Sequence, residues 1–245
     1  MKYFLSIAIL ALASAGPAAA PKPTIILVHG AFADASSWSK VIPILEHDGY
    51  SVTAVQIPLT SLADDIATIK RALEGQKGPV VLVGHSYGGA VITGAAASNP
   101  KVKSLVYVAA FAPDADEPLA AAGTKFPAPP LNAALVPDSG GFLFIDRAKF
   151  RANFCQDVPA PEARVMAATQ KPLHNSAFGA TVPEAAWKTI PSWYIVSSND
   201  RAINPDLERF YAKRAGAKTT EIASSHVAFL SHPHAVVKVI ENAAR

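Results

Sequence analysis

The chain alternates between short apolar segments and segments in which apolar residues return at helical spacing. Near-continuous apolar runs rich in β-branched side chains are typical of strands buried on both faces of a parallel sheet. Parallel strands need crossover connections, which the helical segments between them can supply. The pattern predicts an α/β fold with a mainly parallel sheet of about six strands and helices on both faces. The predicted strands are residues 24–30, 51–57, 79–85, 102–110, 192–198 and 218–225.

The helical segments carry recognisable start and stop signals. Ser36 or Ser37 is predicted to cap a helix that is bent at Pro43, runs to about His47 and is closed by Gly49. Further helices are predicted over residues 62–75, 90–98, 205–216 and 232–244.

Residues 112–190 interrupt this alternation. The segment holds half of the chain's 20 prolines and no long apolar strand. So long a stretch without secondary structure would be unusual inside a compact domain. We therefore expect a small cap insertion, about residues 112–190, within one domain that spans residues 21–245. Its large apolar side chains are Phe126, Leu131, Phe142, Phe144, Phe178 and Trp187.

The first 20 residues differ from the rest. Lys2 precedes a short apolar run that ends in small residues, which is typical of a secretory signal peptide. We expect residues 1–20 to be a signal peptide cleaved after Ala15, and the protein to be exported to the periplasm or the medium. The alternatives are cleavage after Ala20, which is disfavoured because Pro21 would follow the cut, and an uncleaved N-terminal anchor. The run is short for a membrane-spanning helix, so no stable membrane insertion is expected after cleavage.

Composition excludes several classes of function. The net charge is only +3 and no basic block interleaved with aromatic residues occurs, so no nucleic-acid partner is expected. Cys155 is the single cysteine, which excludes an intramolecular disulfide and a CxxC site, and we expect it to be an inert, packed thiol. No metal-ligand cluster, phosphate loop or dinucleotide fingerprint is visible, so no metal or other cofactor is expected.

One motif indicates a nucleophile. Gly84-His85-Ser86-Tyr87-Gly88 follows a buried strand and precedes a small, apolar helical segment. This is the strand–turn–helix setting of a nucleophile elbow, in which a strained turn exposes the serine hydroxyl and requires small neighbours. We interpret Ser86 as the nucleophile.

A serine hydroxyl needs a base, and proteins with this elbow supply it after the last strand, preceded by an acid. His226 directly follows the last predicted strand and is the best candidate for the base. His174 lies in the cap and could contact substrate. The other histidines are expected to shape turns or to lie at helix ends: His29, His47, His85, His232 and His234.

The orienting acid should leave the preceding strand at the same edge. Asp200 fits this position, with Asp114 and Asp116 as the alternatives, whereas Asp206 fits an early helix residue.

A tetrahedral intermediate needs hydrogen-bond donors as well as a nucleophile. The N–H of Tyr87, directly after the nucleophile, should supply one. The loop after the first strand should supply the other, from Ala31 or, as the runner-up, Phe32.

Taken together, four motifs resemble the α/β-hydrolase superfamily, and most closely its small-cap branch of plant methylesterases, hydroxynitrile lyases and related bacterial esterases. The resemblance implies a triad of Ser86, Asp200 and His226 and oxyanion N–H groups at Ala31 and Tyr87, to which the spacing also leads. The motifs are "VHGAFADASSW", "GHSYGGA", "SSNDRAINPDLERFYAKRAGA" and "SHVAFLSHP".

Two departures from the lyases bear on the reaction. Hydroxynitrile lyases of this branch carry a lysine directly after the catalytic histidine and a threonine in the oxyanion loop, where this chain has Val227 and Ala31. An apolar valine cannot stabilise a leaving cyanide. Ser86 likewise excludes the relatives that use an aspartate nucleophile on haloalkanes.

The sequence therefore predicts a serine carboxylesterase that cleaves small to medium apolar esters through an acyl-enzyme. The alternatives are a hydrolase-fold ligand-binding receptor with slow or no turnover, a cofactor-free perhydrolase, and a carbon–carbon lyase. The predicted pocket residues are Phe32, Phe126, Phe178, Trp187 and Val227.

Overall fold

The structure is a computed structural model and describes residues 22–245. The predicted signal peptide and its cleavage site lie outside the described residues. Nine strands occur within the described part: β1 (Thr24–Val28), β2 (Val52–Val55), β3 (Val80–His85), β4 (Val102–Val108), β5 (Leu135–Pro137), β6 (Phe142–Ile145), β7 (Leu173–His174), β8 (Ser192–Ser197) and β9 (Lys218–Ile222).

The α-helices alternate with the strands of the main sheet. Their bounds are α1 (Ile42–His47), α2 (Leu62–Glu74), α3 (Tyr87–Ala96), α4 (Arg147–Phe154), α5 (Ala160–Thr169), α6 (Pro205–Arg214), α7 (Ala228–Ser231) and α8 (Pro233–Ala244). Across the part of the chain that the structure describes, none of the helices combines the length and the hydropathy needed to span a bilayer.

The main sheet has six strands in the order β2-β1-β3-β4-β8-β9, and every adjacent pair is parallel. This confirms the predicted α/β-hydrolase fold with a sheet of about six strands. The central strand β3 is buried at every residue, because both of its faces are covered.

Side chains of β4 show that helices cover both faces. Tyr107 pairs with Thr93 of α3, with 2.8 Å between the hydroxyl oxygens. Ser104 of the same strand donates to the carbonyl of Ala243 in α8, at 2.7 Å. Because residues 104 and 107 are an odd number of positions apart, they point to opposite faces.

The first predicted helix is divided in two. Asp34, not Ser36 or Ser37, caps it, because its carboxylate accepts from the backbone N–H of Ser36 at 2.7 Å. A 3₁₀ helix over Ala35–Lys40 follows, and α1 begins separately with Pro43 in its first turn. Proline fits there because the first-turn N–H groups have no partner within the helix.

Between β4 and β8 the chain forms the elements of the predicted insertion. It contains a small antiparallel sheet of order β5-β6-β7 and the packed pair of helices α4 and α5, and the N–H of Ile145 in β6 donates to the side chain of Gln170, directly after α5, at 2.8 Å. These strands are only two to four residues long, which explains why no long apolar run indicated them.

Candidate active site

Ser86 lies in a sharp turn between β3 and α3. Its backbone has φ 53° and ψ −123°, a conformation that costs energy for a residue with a side chain. A Cβ on Gly84 would lie 2.6 Å from the carbonyl oxygen of Gly88, and one on Gly88 would lie 2.7 Å from that of His29. The turn therefore has the geometry of a nucleophile elbow, and α3 begins directly after Ser86 rather than at residue 90.

Asp200 and His226 form a buried pair at the same edge of the sheet. Asp200 follows β8 and His226 follows β9, and 2.5 Å separates Asp200 Oδ2 from His226 Nδ1. The other carboxylate oxygen accepts from the backbone N–H groups of Ala202, at 2.6 Å, and Ile203, at 3.0 Å. These contacts fix the carboxylate, which in turn orients the imidazole and leaves His226 Nε2 free.

Ser86 and His226 line one cavity. The serine hydroxyl makes no hydrogen bond to another residue within 22–245, so the two side chains meet at the cavity without a direct bond. A hydrogen bond between a catalytic serine and histidine is often long in the free enzyme and shortens only when substrate is bound. The arrangement can transfer a proton from Ser86 to His226 as the serine attacks an electrophile.

Two backbone N–H groups at this cavity have no acceptor among the described residues. They belong to Ala31 and Tyr87, and both residues line the cavity. The N–H of the runner-up, Phe32, instead donates to the carbonyl of Lys171 at 2.9 Å. Ala31 and Tyr87 can therefore stabilise a negatively charged oxygen next to Ser86, whereas Phe32 is committed elsewhere.

The side chain of Tyr87 is anchored below the elbow. Its hydroxyl donates to Asp65 Oδ2 at 2.6 Å, and Asp65 Oδ1 accepts from the backbone N–H of Leu59 at 2.8 Å. Burial raises the pKa values of both Tyr87 and Asp65. The sequence analysis assigned Asp65 no role, although the position of Asp65 on the apolar face of α2 was a signal of burial.

The cavity has a volume of about 370 Å³ and is predominantly apolar. Among its lining residues only His226 carries a titratable side chain apart from the Tyr87 phenol. The predicted pocket residues Phe32, Phe126 and Phe178 lie in its wall. The cap adds residues that the sequence analysis did not assign to a pocket: Leu119, Leu131, Leu135, Phe154 and Leu173.

The other two predicted pocket residues, Trp187 and Val227, do not line this cavity, and neither does His174, which the sequence left open as a substrate contact. Trp187 is nearly buried, and its indole N–H donates to the carbonyl of Pro113 at 2.9 Å. Val227 is fully buried in the core at the start of α7. His174 contacts Ser176 at 2.7 Å and the Phe142 ring instead of the cavity.

The alternative acids lie in other environments. Asp114 pairs with Lys188, Asp116 is exposed, and Asp206 pairs with Arg209 at 2.7 Å in the first turn of α6. None of them contacts His226. Asp200 is thus the carboxylate that the fold brings to the imidazole.

Two further reactive side chains, Cys155 and His29, are buried and have structural rather than catalytic contacts. Burial raises the pKa of the Cys155 thiol to about 12, which disfavours the reactive thiolate. His29 donates from Nδ1 to the carbonyl of Gly30 and accepts at Nε2 from Ile57 N–H. Over the described residues, no group of three or more His, Cys, Asp or Glu side chains is placed to hold a metal ion.

Comparison with known proteins agrees with this fold. The model of the alpha/beta hydrolase family matches residues 25–239, and the chain belongs to that family. The chain is similar to the alpha/beta hydrolase nvfD of Aspergillus novofumigatus (strain IBT 16806), with 29% identity over 250 residues, covering 91% of this chain and 97% of the relative.

Two further known proteins are similar to this chain, one in sequence and one in structure. Methylesterase 7 of Arabidopsis thaliana is 31% identical over 218 residues, covering 75% of this chain and 81% of the relative. The crystal structure of a pyrethroid hydrolase from Sphingobium faniae JZ-2 superimposes with a TM-score of 0.77 at 24% identity, covering 91% of this chain and 97% of the other. This structural likeness shows the shared fold.

Proposed function

We propose that the protein is a serine carboxylesterase that cleaves small to medium apolar esters through an acyl-enzyme. One observation carries the proposal. Ser86, on a strained turn, faces the same cavity as His226, which Asp200 holds at 2.5 Å, and as two N–H groups without an acceptor in residues 22–245. The methylesterase name of a relative supports an ester as the substrate.

The reaction begins when Ser86 Oγ attacks the ester carbonyl carbon and His226 Nε2 takes the hydroxyl proton. Asp200 stabilises the imidazolium, and the N–H groups of Ala31 and Tyr87 stabilise the oxyanion. The intermediate collapses, the carbon–oxygen bond to the alcohol breaks, and His226 returns its proton to that alcohol. Water, activated by His226, then hydrolyses the acyl-enzyme and releases the carboxylic acid.

The cavity supports neutral, apolar substrates. Its wall offers no lysine or arginine to pair with a charged carboxylate on the substrate. The absence of a cationic side chain from this wall also disfavours the carbon–carbon lyase alternative, which needs to stabilise an anionic leaving group. Hydrolysis of the ester needs only the oxyanion donors and the triad.

The decisive experiment compares the purified protein with Ser86→Ala. Both are incubated with short p-nitrophenyl esters and with a serine-reactive phosphonate, and release of nitrophenol and the mass of the protein are measured. We expect the wild type to turn over and to gain one phosphonate, and Ser86→Ala to do neither.

Each other outcome contradicts a defined part of the proposal. Labelling without turnover would favour a ligand-binding receptor, and perhydrolysis in excess of hydrolysis with peroxide present would favour the perhydrolase. A Ser86→Ala variant as active as the wild type would refute the serine mechanism.

We also propose that the protein is exported after cleavage following Ala15. The composition of residues 1–20 supports this. Intact mass and N-terminal sequencing of protein recovered from the periplasm and the medium of an expressing bacterium test it. A protein that retains residues 1–20 in the cell would contradict it.

A further inference from the structure

A second carboxyl group is buried behind the Asp200–His226 pair. Glu208 lies on α6 and is completely inaccessible to solvent. Its Oε2 accepts from the backbone N–H of Ser197 at 2.9 Å. The carbonyl of Ser197 accepts in turn from the N–H of Asp200 at 3.0 Å. Glu208 therefore contacts the short turn that carries Asp200 from the end of β8 into the site.

The two carboxyl groups have unequal shares of hydrogen-bond donors. Asp200 accepts from two backbone N–H groups and from His226. Glu208 accepts one hydrogen bond, from an N–H group to Oε2. Its other oxygen, Oε1, accepts no hydrogen bond from any donor in the described residues. Two adjacent buried carboxyl groups cannot both be ionised without a compensating cation. The negative charge belongs on Asp200, which has more donors, and the proton belongs on Glu208.

The electrostatic surroundings agree with this assignment. Burial raises the pKa of Glu208 well above its ordinary value, and the charge of the neighbouring Asp200 raises it further. The other titratable groups near Glu208 are Tyr194 on β8, whose pKa is also raised by burial, and Arg209 on α6, whose guanidinium turns outward to Asp206 and Glu221. Arg209 is thus engaged at the surface rather than with Glu208.

We propose that Glu208 is a positioning residue: a neutral carboxylic acid whose Oε1 hydroxyl donates to the Asp200 carboxylate and holds it in place for His226. The effect of Glu208 on the reaction rate rests on the proposed esterase function, whereas its protonation state does not. No covalent bond changes, and the proton stays on Glu208 while Ser86 and His226 exchange theirs. Removing the donor would take away one of the contacts that hold Asp200 and would concentrate the charge of its carboxylate on the imidazole.

Three variants separate donation from packing. Glu208→Gln keeps an N–H donor and an acceptor for Ser197, whereas Glu208→Leu keeps the approximate size and loses both. Asp206→Asn is the matched control, because it makes a carboxyl-to-amide change on the exposed side of the same helix. The measurements are kcat, KM and the pH profile with a p-nitrophenyl ester, together with circular dichroism to verify folding.

We expect Glu208→Gln and Asp206→Asn to retain most of the wild-type rate and the wild-type acid limb. For Glu208→Leu we expect kcat to fall by about tenfold, the equivalent of one charge-assisted hydrogen bond, with little change in KM. The acid limb of its pH–rate profile should move to higher pH. Without a hydrogen bond from Glu208, the Asp200 carboxylate stabilises the protonated imidazole more strongly. A Leu variant with wild-type kcat and pH profile, or a Gln variant as impaired as Leu, would overturn the proposal.

An infrared measurement tests the protonation state without any ester. The difference spectrum of wild type minus Glu208→Gln at neutral pH should contain the carbonyl band of a protonated carboxylic acid. Absence of the band would overturn the assignment even if the Leu variant fails to fold. If no ester is hydrolysed but the band is present, the proposed function fails while the assignment of Glu208 stands.

Discussion

His85 Nε2 donates to the backbone carbonyl of His226 across 3.0 Å, so the residue directly before Ser86 holds the loop that carries the base. The two rings also pack with their centroids 4.6 Å apart. Burial lowers the pKa of His85 well below its ordinary value, and the adjacent His226 lowers it further. His85 therefore stays neutral, with its proton on Nε2.

The first prediction follows from this contact. His85→Phe keeps an aromatic ring between His226 and Phe229 but removes the donor to the His226 carbonyl. We expect kcat to fall by about tenfold, the rate equivalent of about 1.4 kcal/mol, because the base loses a buried support. Ester hydrolysis and thermal unfolding are measured together. An unchanged kcat in a folded variant would contradict the role of the contact.

The second prediction concerns the acid. Asp200→Asn keeps the shape of the side chain but removes the charge that stabilises the His226 imidazolium. We expect the rate to fall by roughly a thousandfold or more. Asp114→Asn is the control, since Asp114 pairs with Lys188 and not with the imidazole. If Asp200→Asn is nearly normal and Asp114→Asn is inactive, the acid has been assigned to the wrong residue.

The third prediction tests the packing of the elbow. A Cβ at Gly84 would lie 2.6 Å from the Gly88 carbonyl oxygen, and backbone cannot move aside easily. We expect Gly84→Ala to lower the free energy of unfolding by about 1–3 kcal/mol and to reduce ester hydrolysis. Gly78→Ala is the matched control, because nothing lies within 4 Å of the added methyl group. Equal stability of the two variants, by urea denaturation, would contradict the steric argument.

The fourth prediction concerns the acid sensitivity of the fold. Burial lowers the pKa of His29 from 6.5 to about 4. Between these values the unfolded chain binds a proton that the folded protein does not, so stability is lost as the pH falls from about 6.5 to about 4. The loss is on the order of 3 kcal/mol, and His85 adds to it in the same direction.

Urea denaturation across this pH range tests the effect. His29→Gln should have a shallower decline of the unfolding free energy than the wild type, even if it is less stable at neutral pH. His234→Gln, an exposed histidine in α8, should follow the wild type. A decline as steep in His29→Gln as in the wild type would assign the acid sensitivity to other groups.

The fifth prediction concerns specificity. Phe126 lines the cavity, so Phe126→Ala should raise KM for longer acyl esters more than for acetate, with little change in kcat. Trp187→Phe should leave this preference unchanged and lower the free energy of unfolding by about 1 kcal/mol, because it loses the hydrogen bond to Pro113. If Trp187→Phe changed the preference for acyl length, Trp187 would have to contribute to the substrate pocket, which would contradict the prediction.

The fold and the centre of the site were predictable because local rules govern them. The apolar run before Gly84 defines a buried strand, and only small residues fit beside Ser86 in the turn. Parallel strands end at one edge, so residues that follow β8 and β9 must approach Ser86. This order makes His226 and Asp200 the best candidates, and the contact between Asp200 and His226 then decides against Asp114 and Asp116.

The first helix shows where local signals compete. The sequence contains three polar residues that can cap a helix at this point, and the choice of Asp34 depends on its contact with the Ser36 N–H. The short strands of the insertion were not predictable for a related reason, since pairing between distant segments forms them.

What the sequence by itself determined is therefore the sheet, the elbow at Ser86 and the order in which its partners follow. The tertiary structure alone decided which side chains face the cavity. Trp187 and Val227 are buried and do not line it, whereas Phe154 and Leu131 do. The reason is physical: burial is equally favourable for an apolar side chain in a core or in a cavity wall, and only the packing of elements distant in sequence chooses between them.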